Sequence, residues 1–150
     1  MADLERPQFG AQTVIVGGPG GDDFSFKSAS YVTFKKLNIT YSERTLNSIQ
    51  VIFNCGQMIK VGNSAGSHSQ EIVFDEYDKI ISAKLWPNRA GNRCGGFEFV
   101  VVKSNGIKTT LSVKCKQLGE PVSFTVKSGK IHGITGRSGD EIDALGFYFI

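Results

Sequence analysis

A chain of 150 residues that is 40% hydrophobic, with eleven Phe, four Tyr and one Trp, can bury one ordinary core. Its formal charge of +3 falls short of a nucleic-acid-binding footprint, and no apolar run is long enough to insert into a membrane as a helix. Eighteen Gly without collagen periodicity or low complexity imply a chain of many turns.

Residues 1–12 read as an N-terminal extension and residues 13–150 as a single domain. Met1 to Gln12 is polar, carries Asp3, Glu5 and Arg6, and lacks the apolar stretch of a cleavable signal. That suits a cytoplasmic chain or a mature secreted one alike. Gly17 to Asp23 forms the first turn cluster. From Val32 to Tyr41 the apolar parity switches across Lys35-Lys36, from Val32 and Phe34 to Leu37, Ile39 and Tyr41, as a β-bulge or strand break would produce. Asn38-Ile39-Thr40 fits the N-glycosylation pattern but falls inside this strand, so it is discounted. Ile49, Val51 and Phe53 then share one face of an alternating run.

Gly62-Asn63-Ser64-Ala65-Gly66 matches the G-x-S-x-G nucleophile elbow. That motif works only on a strand-to-helix turn, and no helix is expected to follow, so a glycine-rich β-turn is preferred and no enzyme is expected. Asn88 to Gly96 is a further turn region. Phe97, Phe99 and Val101 alternate on one side of Asn105-Gly106, and Thr109, Leu111, Val113 and Cys115 on the other. This predicts a hairpin closed by a type I′ turn. After a turn at Ser128-Gly129, Leu145, Phe147 and Phe149 form the last alternating run. No window offers a capped amphipathic helix, so the chain reads as an all-β sandwich, barrel or prism. Glycine-rich loops at Gly17–Gly21, Gly62–Gly66 and Gly133–Gly139 suggest a weak internal repeat.

Metal and cofactor chemistry finds little support. His68, placed in a polar loop, and His132, placed on a strand, lack a second His or Cys at ligand spacing. The acidic pairs Asp22-Asp23 and Asp140-Glu141, with Asp143, lack the alternating spacing of an EF-hand. Lys35-Lys36, Lys114 and Lys116 read as solvated strand faces. Cys55, Cys94 and Cys115 are widely spaced and odd in number, leaving open an intramolecular bridge with a free thiol or an intermolecular bridge.

The segment from Lys130 to Phe149, KIHGITGRSGDEIDALGFYF, resembles the last two strands of jacalin-related lectins, whose pattern runs K-I-x-G-x-x-G-R-x-G-x-x-x-D-A-I-G-x-Y. Gly17-Gly18-Pro19-Gly20-Gly21-Asp22-Asp23-Phe24 resembles the family's glycine-rich first loop. Gln70–Phe74 and Lys79–Ile81 resemble its middle strands more loosely, so the resemblance covers about residues 13–150. It implies a β-prism of three four-stranded Greek-key sheets with pseudo-threefold symmetry.

The resemblance also implies a metal-free, cofactor-free carbohydrate site built from Gly20, Gly21, Gly139, Asp140, Glu141 and Asp143. Asp143 would accept from two neighbouring hydroxyls of a sugar ring, while the N–H groups of Asp140 and Glu141 donate. The loop bearing Asn92 and Arg93 would tune specificity. Galactose-binding members are cut to expose a new N-terminal glycine in the first loop. Here the chain runs uninterrupted into Gly20-Gly21, which favours the mannose/glucose type over the galactose type. Glu43-Arg44-Thr45-Leu46-Asn47 lacks the glycine and aspartate of a second site, so one site per chain is expected. The acidic rim of Asp22, Asp23, Asp140 and Glu141 is expected to repel anionic glycans at this site. Glycans or glycoproteins are the expected partners, bound by a homodimer or larger homo-oligomer. The competing reading is a non-sugar interaction module that uses basic faces to hold anionic partners.

Overall fold

The structure, a computed structural model, describes residues 11–150 apart from Ser30 and Ser64. The described residues form thirteen strands in three antiparallel sheets, with no helix. Sheet I joins β1 (Ala11–Gln12) and β2 (Val16–Gly17), both lying along β13 (Ile142–Phe149), to β12 (Ile131–Ser138) and β3 (Asp22–Lys27). Sheet II runs in the order β6 (Met58–Val61), β5 (Leu46–Phe53), β4 (Phe34–Tyr41), β7 (His68–Val73). Sheet III runs β10 (Lys108–Lys114), β9 (Cys94–Val102), β8 (Lys79–Pro87), β11 (Val122–Gly129). Residues 1–10 of the expected extension lie outside the described residues, and Ala11–Gln12 pairs with β13.

In sheets II and III, three consecutive strands fold back on one another and the fourth returns beside the first, which is a Greek key. Sheet I repeats that order from both ends of the described chain, with β1 and β2 serving as one interrupted strand. The result is the expected prism of three four-stranded Greek keys. The bulge expected at Lys35-Lys36 is present, as a register shift between Phe34 and Lys36. Asn38 lies within β4, flanked by β5 and β7, and its Nδ2 donates to Gln50 Oε1 at 3.1 Å.

Three sequence expectations need correction. The hairpin at Asn105-Gly106 exists, but as a three-residue loop rather than a type I′ turn. Gly106 N–H donates to Lys103 O, Lys103 N–H to Ile107 O, and Gly106 takes a φ of 85°. The β5–β6 connection through Gly56 repeats these bonds, so two of the three Greek keys share one turn. His68 is not in a loop; it begins β7, with its ring 5.3 Å from that of Tyr41. The Gly133–Gly139 stretch is β12 and its hairpin, not a third glycine-rich loop. The β10–β11 connection is the true counterpart of the loops at Gly17–Gly21 and Gly62–Gly66.

The core runs along the prism axis. Phe147 from sheet I stands edge-on to Phe97 and Phe99 of sheet III, at 5.3 and 5.1 Å between ring centroids, and to Phe34 of sheet II at 6.4 Å. Phe97, Phe99 and Phe147 are fully buried. Each is worth roughly 2–3 kcal/mol from burial alone, before any gain from edge-to-face geometry. Six connections meet at one end of the prism. Gly18 N–H donates to Asp143 O at 2.8 Å, and Asn63 N–H to Asp140 O at 3.0 Å. On the other side Gln117 N–H donates to Glu43 O at 2.9 Å, and Arg89 N–H to Gln117 O at 3.1 Å.

Candidate functional site

The tight β12–β13 hairpin aims the Asp143 side chain at the loop end. Ser138 pairs with Ile142, leaving a three-residue turn, Gly139-Asp140-Glu141, in which Gly139 N–H donates to Glu141 O at 3.1 Å. Asp143 follows as the second residue of β13 and is only 4% exposed. The first glycine loop, between β2 and β3, presses directly on its carboxylate. A β-carbon built on Gly20 would fall 2.6 Å from Asp143 Oδ2, and one on Gly21 would fall 2.8 Å from Oδ1. Gly21 also needs its φ of 73°, which L side chains rarely adopt. Glycine is therefore required here for close approach at both positions and for conformation at the second.

An open depression of about 550 Å³ lies over this junction, lined by Gly21, Asn47, Arg93, Gly139, Asp140, Glu141 and Asp143. Five of the six residues expected at the carbohydrate site line it. Gly20 lies just behind, against the Asp143 carboxylate, and Asn92 stands outside the lining. A smaller cleft of about 390 Å³ between the edges of sheets I and III, beside Phe124 and Phe149, has no acidic side chain among its lining residues.

Arg93 lies at the site end of the prism, as expected of its loop, and makes contacts the sequence did not foretell. Rather than only flanking the depression, its guanidinium joins two carboxylates, with Nε on Glu141 Oε1 at 3.0 Å and Nη1 on Asp143 Oδ2 at 3.2 Å. Asn88, buried at the base of the β8–β9 connection, holds it there. Its Oδ1 accepts from the N–H groups of Asn92 and Arg93, and its Nδ2 donates to Asn92 Oδ1. Sequence reasoning also missed Arg137 on β12. Its Nε donates to Gly20 O at 3.0 Å and its Nη2 to Gly21 O at 2.7 Å, while Nη1 pairs with Asp23. Arg137 thus clamps the first loop against Asp143. The acidic rim is consequently in part internally neutralised, with Asp23 paired to Arg137 and Glu141 to Arg93.

Asn47, which the sequence places where a second site would need its aspartate, also lines the depression. Tyr41 pairs with Leu46 as Ser138 pairs with Ile142, so Asn47 is the sheet II counterpart of Asp143. In sheet III the same step from Pro87–Cys94 reaches Gly95. The three Greek keys thus carry Asp, Asn and Gly at one equivalent position, and only the first supplies a carboxylate. Among the described residues no group of three or more His, Cys, Asp and Glu is placed to hold a metal ion. The elbow reading of Gly62–Gly66 fails on topology, because strand β7 follows the loop instead of a helix; Ser64 itself lies outside the described residues.

The jacalin-like lectin domain profile matches residues 14–148. The chain belongs to the jacalin-like lectin family. It is 27% identical over 144 residues to jacalin-related lectin 19 of Arabidopsis thaliana, covering 91% of this chain and 80% of that protein. Among solved structures, lamprey immune protein is 31% identical with a TM-score of 0.79, covering 93% of this lectin; the lectin spans only 44% of that longer chain. Malaysian banana lectin superposes with a TM-score of 0.74 at 23% identity, covering 94% of this chain and 98% of its own. A mannose-specific jacalin-related lectin from Morus nigra, solved with mannose, superposes with a TM-score of 0.69 at 23% identity, covering 94% of each chain. The family is a carbohydrate-binding, non-enzymatic one, so this chain is a lectin by family and a β-prism by fold.

Proposed function

We propose that this lectin binds mannose/glucose-type glycans through one metal-free site per chain, centred on Asp143. The observation that carries the reading is the seating of both carboxylate oxygens of Asp143 against the Gly20-Gly21 loop, at the floor of an open depression. A neutral sugar presents hydroxyls and C–H faces, so it is recognised by fixed acceptors and donors rather than by net charge. Asp143 accepts from two adjacent ring hydroxyls, and the N–H groups of Asp140 and Glu141 donate to the same hydroxyls or to the ring oxygen. Arg93 holds the carboxylate in place from one side. The Morus nigra lectin, described as mannose-specific, supports the mannose type. So does the unbroken run of chain through Gly18 to Gly21. The Asp, Asn, Gly series at equivalent positions supports a single site.

The test is a glycan array, with titration calorimetry of methyl α-mannoside, on the wild type and the Asp143→Ala variant. Mannose-type binding that vanishes in the variant and survives EDTA is the expected result. Binding that persists in the variant, prefers galactose or depends on a divalent cation rejects the reading.

A further inference from the structure

We infer that the solvent face of sheet III is a second binding surface, which takes a sulfated polysaccharide independently of the Asp143 site. The four strands of this sheet contain Lys79, Lys84, Lys108, Lys114 and Lys127 against Glu98 as their one acidic residue. The whole chain carries a net charge of only +3. Positive charge is therefore concentrated on one wall of the prism, away from the carboxylates around Asp143.

The arrangement of these lysines is ordered rather than diffuse. Trp86, the chain's one tryptophan, lies half-buried on β8 with two ammonium groups over its ring. Lys114 Nζ stands 5.1 Å from the ring centroid and Lys84 Nζ 5.7 Å. Trp86 and Lys114 both pair with Gly96 on the intervening strand. With no side chain on Gly96, Lys114 reaches across β9 to the indole. A β-carbon there would meet the backbone O of Val113 at 2.6 Å and Lys114 Cα at 3.0 Å. Two like charges gathered on one ring create an anion-attracting spot. Holding them there by cation–π contact removes part of the ordering cost that binding otherwise carries. The Lys114 side chain remains 44% exposed, and Glu98, its carboxylate 4.0 Å from Lys114 Nζ, offsets only part of the charge.

The rest of the face selects among anions. Ser82, Ser123 and Thr125 line a shallow depression of about 260 Å³ beside Lys84 and Glu98, offering hydroxyls to sugar hydroxyls or sulfate oxygens. A single-stranded nucleic acid needs a series of stacking aromatics, and Trp86 is the lone aromatic on the outer side of these strands. Firm membrane attachment adds inserted apolar side chains to charge, and on the strands of sheet III Val122 is the one large apolar residue substantially exposed. A flat, hydroxyl-rich sheet with lysines spread along it fits an extended, sulfated sugar chain.

Because Trp86 is the only tryptophan, its fluorescence reports on this face alone. Heparin titrated into the full chain should change the Trp86 emission in a saturable, salt-dependent way, and methyl α-mannoside should leave it unchanged. A Lys84→Gln/Lys114→Gln double variant should bind heparin on the order of tenfold more weakly, with the slope of log affinity against log salt reduced by about 2. A Lys35→Gln/Lys60→Gln control removes equal charge from sheet II and should bind as the wild type does, and so should Asp143→Ala. Thermal unfolding of each variant verifies that it is folded. The inference is overturned if heparin leaves Trp86 unmoved, or if the sheet II control loses as much affinity as the sheet III variant. It is equally overturned if Asp143→Ala abolishes heparin binding, or if single-stranded DNA or phosphatidylserine vesicles bind this face as tightly as heparin.

Discussion

Gly20 and Gly21 are adjacent, yet the two make different demands on the chain. A β-carbon on Gly20 would collide only with the Asp143 side chain at distances below 3 Å. One on Gly21 would also collide with the backbone of Ser138 at 2.7 Å, and it would have to adopt a φ of 73°. Substitution at the first should therefore disturb binding far more than folding. Gly20→Ala is expected to cost about 1 kcal/mol or less in stability while displacing the carboxylate and abolishing mannoside binding. Gly21→Ala should lose binding and also about 1–3 kcal/mol of stability through backbone strain. Urea unfolding and calorimetry on the pair check this, and equal stability losses would contradict it. Arg93 belongs to the same scale. It joins Glu141 to Asp143, but its side chain is 32% exposed, so its ion pairs are screened and act chiefly to orient Asp143.

At the level of strands, β12 carries both Arg137, which clamps the first loop, and His132, which anchors the strand's other end. His132 is buried, with Nδ1 3.1 Å from Ser28 O, and its Nε2 meets no hydrogen-bond partner among the described residues. Burial holds its pKa below the ordinary histidine value, with Lys27 nearby acting in the same direction. The folded state thus prefers the neutral imidazole. The resulting stabilisation is fully present above about pH 6.5 and is lost as the pH falls below it. The melting temperature of the wild type should therefore drop more steeply between about pH 6.5 and pH 5 than that of His132→Gln, as thermal scans across that range would show. Parallel slopes would remove His132 from the acid response.

Much of this element level was legible in the residues themselves. Alternation located the core strands because each has one buried face, and the parity switch at Lys35-Lys36 located a bulge. The jacalin-like C-terminal motif located Asp143 and its turn. What escaped notice depends on contacts between distant segments. Nothing local in Arg93 signals a guanidinium resting on residues 141 and 143, and nothing in Asn47 signals that it faces the same depression from another sheet. Arg137 was visible within the family motif, but its task becomes apparent only when β3 lies beside β12. The glycine count misled at Gly133–Gly139, because glycine in a strand can serve close packing as readily as a loop.

For the molecule as a whole, the single shallow site per chain proposed above would set a limit on affinity. Such sites hold a monosaccharide at roughly millimolar strength, about −4 kcal/mol, so firm attachment to a glycan-bearing particle requires several copies acting together. We propose a homodimer or larger assembly, measured by sedimentation velocity on the full chain. A monomeric mass at all accessible concentrations contradicts it. The three cysteines are free. Burial pushes the Cys94 and Cys115 thiols up to about 12, so only the exposed Cys55, at the tip of the β5–β6 hairpin, is open to oxidation. Any covalent dimer should therefore disappear both under reduction and in Cys55→Ser.

Sheet I has a consequence for the order in which the protein comes into being. Its β3 edge and glycine loop are synthesised early, while β12 and β13 are synthesised late. Arg137 and Gly20, joined by a hydrogen bond, stand 117 positions apart. Sheets II and III are each built from one contiguous stretch, so their strands can pair early, but the core they share with Phe147 closes only when β13 arrives. The first glycine loop must wait, open and without its carboxylate, until β13 has been delivered. On the proposed function, a nascent chain would therefore have no grip on sugars before β13 is in place. On that same reading, sugar affinity would arise only once sheet I has closed, and would double as a readout of that closure.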